Sequence, residues 1–315
     1  MPITQASQNM NVTNGNPTIM RSTLLMAVKL YEDEPRQTFY GDIAGKILTT
    51  EQAYEESATV SGIGLPLITS EYGQVPTDDV YTPYTKRHQP VKRTLQLRIS
   101  DEAFINDQYG IIKQYGTLLK GAFEQAKEIA AAVYLNGCLS TSLLALPSGQ
   151  PLSSSAHPLD PQVGANDTNT FATQQVFGVI ALEDAVNNLM MQKAHKGYPA
   201  PKPGPFVLEV HPKNALLARR IVASTQLPGT SNNDKNVVAG SISKLIASPY
   251  YTNQEWWSLR SASNNEHKRF MLQRYGFKLV PITYDEDNDS WKVTAKESYL
   301  FDAMDYRGTF YSTPS

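Results

Sequence analysis

The 315-residue chain carries one cysteine, Cys138, so an intramolecular disulfide and a cysteine-rich metal cluster are both excluded. It contains no apolar run near the roughly 18 residues of a membrane span. Its polar start, MPITQASQNMNVTNGNPT, lacks the apolar core of a secretory signal. Basic excess is missing too: the formal net charge is −2, which is not the balance of a dedicated nucleic-acid binder. These absences point to a reducing compartment, such as a cytoplasm or a particle assembled there, and to no membrane. What is present is a 41% hydrophobic composition, enough for a sizeable core in one large domain or two ordinary ones. Seventeen tyrosines offer rigid amphipathic contact area, and twenty prolines mark turns and extended arms.

Residues 1–20 are polar and cannot pack a core, so they read as an arm. Residues 21–34 fit either a short helix or an extended segment. From 52 to 99 the pattern is β-rich and elongated, broken by Pro66, Gly73, Pro76 and Pro83. It ends in a strong alternation through Val91, Arg93, Leu95, Leu97 and Ile99. Two strands around a long irregular centre predict a protruding hairpin, and so long a loop usually has a function. Ser100 then caps a helix over residues 100–137, with Asp101 and Glu102 near its positive end. Its apolar spacings of three and four place Leu118 and Phe123 on the buried face, and it would span roughly 50 Å. Gly110, Gly116 and Gly121 mark a bend or a close helix approach.

Beyond a Ser- and Pro-rich loop at 138–170, a helix is expected within 171–196 on a stripe of Val176, Ile180, Val186, Leu189 and Met190. PFVLEVHP reads as a buried strand and KNALLARRIVAS as a helix, followed by a polar loop at 225–240. Strands follow at 241–247, 256–260 and 268–273, and the C-terminal end is strand-rich. The fold class is α+β with antiparallel pairing.

No chemistry-bearing motif survives inspection. GDIAGK at 41–46 has three residues between its glycines where a phosphate loop needs four, and Ile47 where that loop needs a hydroxyl. DEDNDS at 285–290 has Ser290 in place of the calcium-loop glycine and Lys296 in place of the bidentate glutamate, so a polar hairpin turn is expected. The histidines, His88, His157, His195, His211 and His267, form no metal-binding pair. His157 beside Ser153–Ser155 suggests a nucleophile and base, yet no nucleophile turn supports a hydrolase there. Lys86, Arg87, Lys92, Arg93 and Arg98 form a basic stretch. It reads as a solvated strand face or as a charged arm meeting an acidic partner. No cofactor is expected.

Four phrases carry a resemblance: LNGCLSTSLLALPSGQPLSSSAHPL at 135–159, PFVLEVHPKNALLARRIVAS at 205–224, KLIASPYYTNQEWWSLRS at 244–261, and the closing 277–314. Their order, behind a long helix and an extended hairpin, resembles the HK97-fold major capsid proteins of tailed bacteriophages, particularly the Mu-like major head subunits. The resemblance implies an N-terminal arm at 1–45, an extended loop with flanking strands at 46–99 and a spine helix of a peripheral domain at 100–137. It further implies an axial domain at 138–268 and C-terminal strands at 269–315 that complete both domains.

The implied function is a non-enzymatic subunit that self-assembles into pentamers and hexamers of an icosahedral shell around double-stranded DNA. Glu71, Tyr72, Lys86, Arg87, Arg93 and Arg98 are the expected subunit interface. The expected partners are further copies, a separate scaffolding protein, a portal and a decoration protein, with DNA held by non-specific proximity. The expected location is the virion, assembled in the host bacterial cytoplasm. The alternatives are a tail or decoration subunit, or a hydrolase built on the His157 loop.

Overall fold

The computed structural model describes residues 24–29, 38–106, 111–162, 164–202, 204–226, 235–263 and 268–314. The expected arm at 1–20, much of the loop at 225–240, and His267 lie outside the described residues. In chain order the helices are α1 (24–29), α2 (Tyr40–Ala44), α3 (Asp101–Ile105), α4 (Ile111–Asn136), α5 (Val179–Met191) and α6 (Pro212–Ala223). The strands before α5 are β1 (Ile47–Thr49), β2 (Glu55–Ala58), β3 (Thr85–His88), β4 (Val91–Ser100), β5 (His157–Pro158) and β6 (Asn166–Asp167). Those after it are β7 (Phe206–Val210), β8 (Ile242–Ala247), β9 (Trp257–Ser261), β10 (Arg269–Leu279), β11 (Thr283–Asp285), β12 (Ser290–Ala303) and β13 (Thr309–Ser312).

Two sheets organise the chain. The first runs β1-β10-β12-β11, and β4 pairs with the other edge of β12. Register fixes its faces. Ile99, Leu97, Leu95 and Arg93 stand opposite Trp291, Val293, Ala295 and Glu297. This set lies under α4, where Ile99, Trp291, Val293 and Ala295 pack with Leu119, Phe123 and Leu24. Burying a ring such as Phe123 stabilises by about 2–3 kcal/mol. The second sheet runs β13-β9-β7-β8. Its β7, the FVLEV segment, is buried at every position, as its continuous apolar run predicts. Helices α5 and α6 cover it through Leu182, Ala185, Leu189, Ala218 and Ile221.

A third cluster joins the two sheets. The end of α4 (Ala131, Ala132, Leu135), Cys138, Ile43 and Met271 meet Val207, Ile246 and Tyr311 there. Cys138 is the small packed residue its place at a helix end suggests, and burial pushes its thiol up to about 11.

Three expectations need correction. The helix from 100 does not run on unbroken. Ser100 caps α3 through its hydroxyl as expected, but α3 ends at Asn106, whose N–H bonds back to Glu102, and α4 is a separate span. Leu118 is 63% exposed, while Leu119 and Phe123 are buried. Val176, which precedes α5, and Ile180 and Met190 on it face solvent, and the buried stripe runs through Ala181, Leu182, Ala185 and Leu189. The DEDNDS segment is the hairpin turn between β11 and β12, with Asp289 in the left-handed region at φ 43° and Lys292 paired to Asp285 at 2.6 Å.

Candidate functional site

Strands β2 and β3 pair antiparallel from Glu55↔His88 to Ala58↔Thr85, and residues 59–84 project between them without further strand pairing. Prolines 66, 76 and 83 explain why the ladder stops: each lacks an N–H and constrains the residue before it. Two backbone-to-backbone hydrogen bonds hold the two limbs of this arm together near its root. Thr59 donates its N–H to Tyr84 O at 2.9 Å, and Ser61 to Tyr81 O at 2.8 Å. Further out, Asp78 accepts from Gly64 N–H at 2.5 Å. At the tip Ser70 and Gly73 close a turn in which Tyr72 has φ 63° and is fully exposed. Ile63, Leu65, Leu67, Ile68 and Val75 are all more than 60% exposed along it. Scattered apolar residues on a surface are ordinary, but here five lie on one segment and the described residues leave them uncovered.

The arm is rooted firmly. Lys86 Nζ donates to Asp302 Oδ1 at 2.5 Å and to Ala145 O at 2.7 Å. His88 Nδ1 donates to the other oxygen of Asp302 at 2.7 Å, and the His88 ring meets Phe270 edge-on. Higher up, Tyr81 donates its hydroxyl to Asp160, and Lys196 pairs with Asp78 at 3.2 Å.

The basic stretch therefore divides. Lys86 serves the root. Arg87 pairs with Glu56 at 2.8 Å and lies over the Tyr54 ring, and Arg93 lies over Tyr299 on the α4 side of the sheet. Lys92 and Arg98 stand exposed on the opposite face. Glu71 and Tyr72 are exposed at the arm tip. The six expected interface residues are thus not brought together, and three of them have partners within the chain.

A group that the sequence reading missed joins the two sheets. Glu209, inside β7, accepts from Arg269 Nη2 at 3.0 Å, Arg260 Nε at 3.0 Å and Ser258 Oγ at 2.6 Å. Arg269 also reaches Ile43 O at 2.6 Å. Burial works against the Glu209 charge, but Arg269 and then Arg260 overcome it and hold the carboxyl below its ordinary range. The signal available was one acid in an otherwise apolar strand; nothing in the sequence said which cations would meet it. A second buried pair, Lys127–Glu297 at 2.9 Å, ties α4 to β12.

The His157 loop does not form a catalytic pair. His157 is fully buried, stacks on Tyr306 at 4.0 Å, and donates from Nε2 to Asn169 Oδ1 at 2.9 Å. Its Nδ1 and the Ser153 hydroxyl are each without a hydrogen-bond partner among the described residues, so they do not bond each other. Burial pushes the imidazole down to about 4. Among the described residues no cluster of three or more His, Cys, Asp or Glu could hold a metal ion, and no helix is long and apolar enough to cross a membrane.

Solved structures with the same arrangement include capsid and phage proteins. The capsid of cyanophage A-1(L) aligns with a TM-score of 0.57 at 11% identity, covering 87% of this chain and 92% of that one. The capsid of a native GTA particle aligns at 0.56 and 11%, covering 90% and 92%. A protein of Microbacterium phage Oxtober96 aligns at 0.55 and 9%, covering 90% and 93%. At such identities the likeness is one of fold, and that fold is HK97-like. No curated protein matches the chain by sequence. The phage capsid protein family does match, over residues 83–312. That span is well over half of the sequence and reaches from the arm's inner limb to the last strand, so the chain belongs to the phage capsid protein family.

Proposed function

We propose that this chain is the repeating subunit of an icosahedral phage head, assembling as pentamers and hexamers around double-stranded DNA. The observation that carries this reading is the arm at 59–84: its exposed aliphatic residues find no cover among the described residues, whereas its root is locked to the body. A segment so built is stabilised by a neighbour. In this reading the five-stranded sheet with α4 is the peripheral domain, and residues 138–268, which contain most of the four-stranded sheet, are the axial domain. Glu71, Tyr72, Arg87 and Arg98 are the expected interface residues that are exposed, and of these Arg87 is already paired with Glu56.

The subunit is a structural component of the virion and carries no catalysis. Assembly takes place in the host bacterial cytoplasm with separate scaffolding, portal and decoration proteins. Pentamers and hexamers from one sequence follow from closed heterologous contacts, and many marginal contacts sum through multivalency.

Size-exclusion chromatography and electron microscopy of the purified chain test this reading. Rings or closed shells are expected. A compact monomer at every concentration, with turnover lost in His157→Ala, would overturn it.

A further inference from the structure

We propose that the outward face of α4 is a self-complementary contact between two copies of this chain, packed antiparallel about a two-fold axis. This rests on the shell-subunit reading and names a surface through which its copies meet. Among the described side chains of α4, the exposed ones are Gln114, Leu118, Ala122, Gln125, Ile129 and Val133. Their spacings of three and four gather them in one stripe on the side away from the sheet. None of them carries a charge. The charged residues of the same span are placed the other way round: Lys120, Glu124, Lys127 and Glu128 are buried or half-buried. Lys120 and Lys127 pair with Glu124 at 3.2 and 3.0 Å, and Lys127 also pairs with Glu297 at 2.9 Å. Glu128 accepts from the Phe39 N–H at 2.7 Å. A helix face that stays in water is normally charged and polar. Here the ions point inward and the aliphatic residues outward, as in a helix that is covered on both sides.

The spacing points to the occupant. The six exposed positions lie symmetrically about the midpoint between Ala122 and Gln125. An antiparallel copy therefore sets Leu118 against the partner's Ile129, Ala122 against the partner's Gln125, and Gln114 against the partner's Val133. The two-fold repeats each of these contacts. Self-complementarity of this kind is what an isologous contact requires. Such an axis also brings any charge near it close to its own copy, and the stripe has none. The bordering Thr117, Gly121, Ala126 and Ala130 are half-buried and small, and they obey the same symmetry, so the two helices can approach closely. Contacts that close a ring are heterologous, so this isologous pair joins copies from different rings. The stripe is about 28 Å long and about 10 Å wide. That falls short of the roughly 800 Å² per partner of a lasting pair. One contact is weak, and repetition over a shell strengthens it.

Disulfide trapping tests the register. The one native cysteine, Cys138, is buried, so an introduced thiol is read cleanly. One chain carries Leu118→Cys and another carries Ile129→Cys. Two copies of the same variant would hold their cysteines about 16 Å apart, beyond disulfide reach, whereas a mixture sets them face to face. Mild oxidation at assembly concentration should give several-fold more covalent dimer from the mixture than from either variant alone. No excess in the mixture would overturn the proposal, and so would dimers of one variant alone, which report a parallel pair. A charge swap gives a second measurement. Leu118→Glu and Ile129→Lys should each lower the yield of closed shells roughly ten-fold at low salt. A chain with both should recover them, because each glutamate then meets a lysine of the other copy. Circular dichroism confirms that every variant folds. Shells indifferent to the single changes, or not restored by the double one, would also overturn the proposal. Trapping is read on the purified chain whether or not shells close, so an unaltered chain that closes no shells removes the shell-subunit reading alone.

Discussion

Arg269 on the five-stranded sheet donates to Glu209 on the four-stranded sheet at 3.0 Å, and both side chains are fully buried. Arg260 joins the same carboxylate from β9. One anion thus bridges cations from both sheets where their cores meet. Replacing it by Glu209→Gln removes the carboxylate that the Arg269 and Arg260 guanidiniums share in the interior. Breaking a buried pair in this way costs about 3–5 kcal/mol. The urea midpoint should fall accordingly. Lys244→Ala, which removes an exposed pair with Asp42, should cost under about 1 kcal/mol.

His157 makes folding sensitive to acid. Its folded value of about 4 lies below the ordinary histidine value of 6.5, chiefly because of burial and against the bond to Asn169. Above pH 6.5 both states hold it neutral and it adds no pH dependence. Between 6.5 and 4 the unfolded chain binds the proton and the folded one does not, so stability falls as pH falls. The full loss is about 3 kcal/mol. His195 is lowered in the same direction by burial and then Arg307, and adds to the slope. His157→Gln should be less stable at pH 7 and show a flatter loss from pH 6.5 to 4 in thermal melts. An unchanged slope would place the acid sensitivity elsewhere.

Elements whose cause is local were legible. Ser100 with Asp101 and Glu102 announced a helix start, FVLEV a buried strand, and DEDNDS a turn rather than a calcium loop. Position on the helix was harder. Spacings of three and four admit both Leu118 and Leu119, and only the sheet beneath α4 decides which is buried. The end of α3 had a signal that periodicity overrode: asparagine, the type at position 106, competes with a helix for backbone groups. The basic stretch misled because a strand sends alternate residues to opposite faces. Arg93 and Arg98 are five residues apart and lie on different sides of the sheet. The arm was legible from its prolines; its ties to Asp302 and Asp160 link residues far apart in sequence, which no local pattern encodes.

Gly116 is a packing glycine. A Cβ there would stand 2.7 Å from Leu24 O and 3.1 Å from the Ala27 Cβ, where α1 crosses α4. In an open helix Gly→Ala stabilises by about 1 kcal/mol. Here the added methyl meets backbone, and overpacking of this kind costs about 1–3 kcal/mol. Gly116→Ala should therefore lower the melting temperature and raise proteolysis at residues 24–29. A higher melting temperature would show that α1 does not rest on this position.

Leu118 and Leu119 should separate folding from assembly. Leu119→Asp buries an unpaired charge under α4 and should abolish soluble folded subunit. Leu118→Asp places its charge on the exposed side, so the subunit should fold with its stability changed by less than about 0.5 kcal/mol. Circular dichroism of the two purified variants distinguishes them. Equal loss of fold in both would mean that the exposed stripe of α4 is covered within the subunit.

The arm should be labile alone and protected in the shell. Between Ser61 and Tyr81 the described hydrogen bonds across it are few, namely Gly64 to Asp78 and the turn at Ser70 and Gly73. Its aliphatic residues point to solvent, so local opening exposes little further apolar surface and costs little free energy. Limited proteolysis of the isolated subunit should cut first between residues 63 and 80, while β2 and β3 stay intact because Lys86 and His88 fasten them to Asp302. In assembled shells the same bonds should resist cleavage, since a neighbour covers the patch. Shortening the arm to a tight turn beyond Ser61 and Tyr81 should leave a folded subunit that builds no closed shells. Equal cleavage rates in the two states, or normal shells from the shortened chain, would show that this segment is not an assembly element.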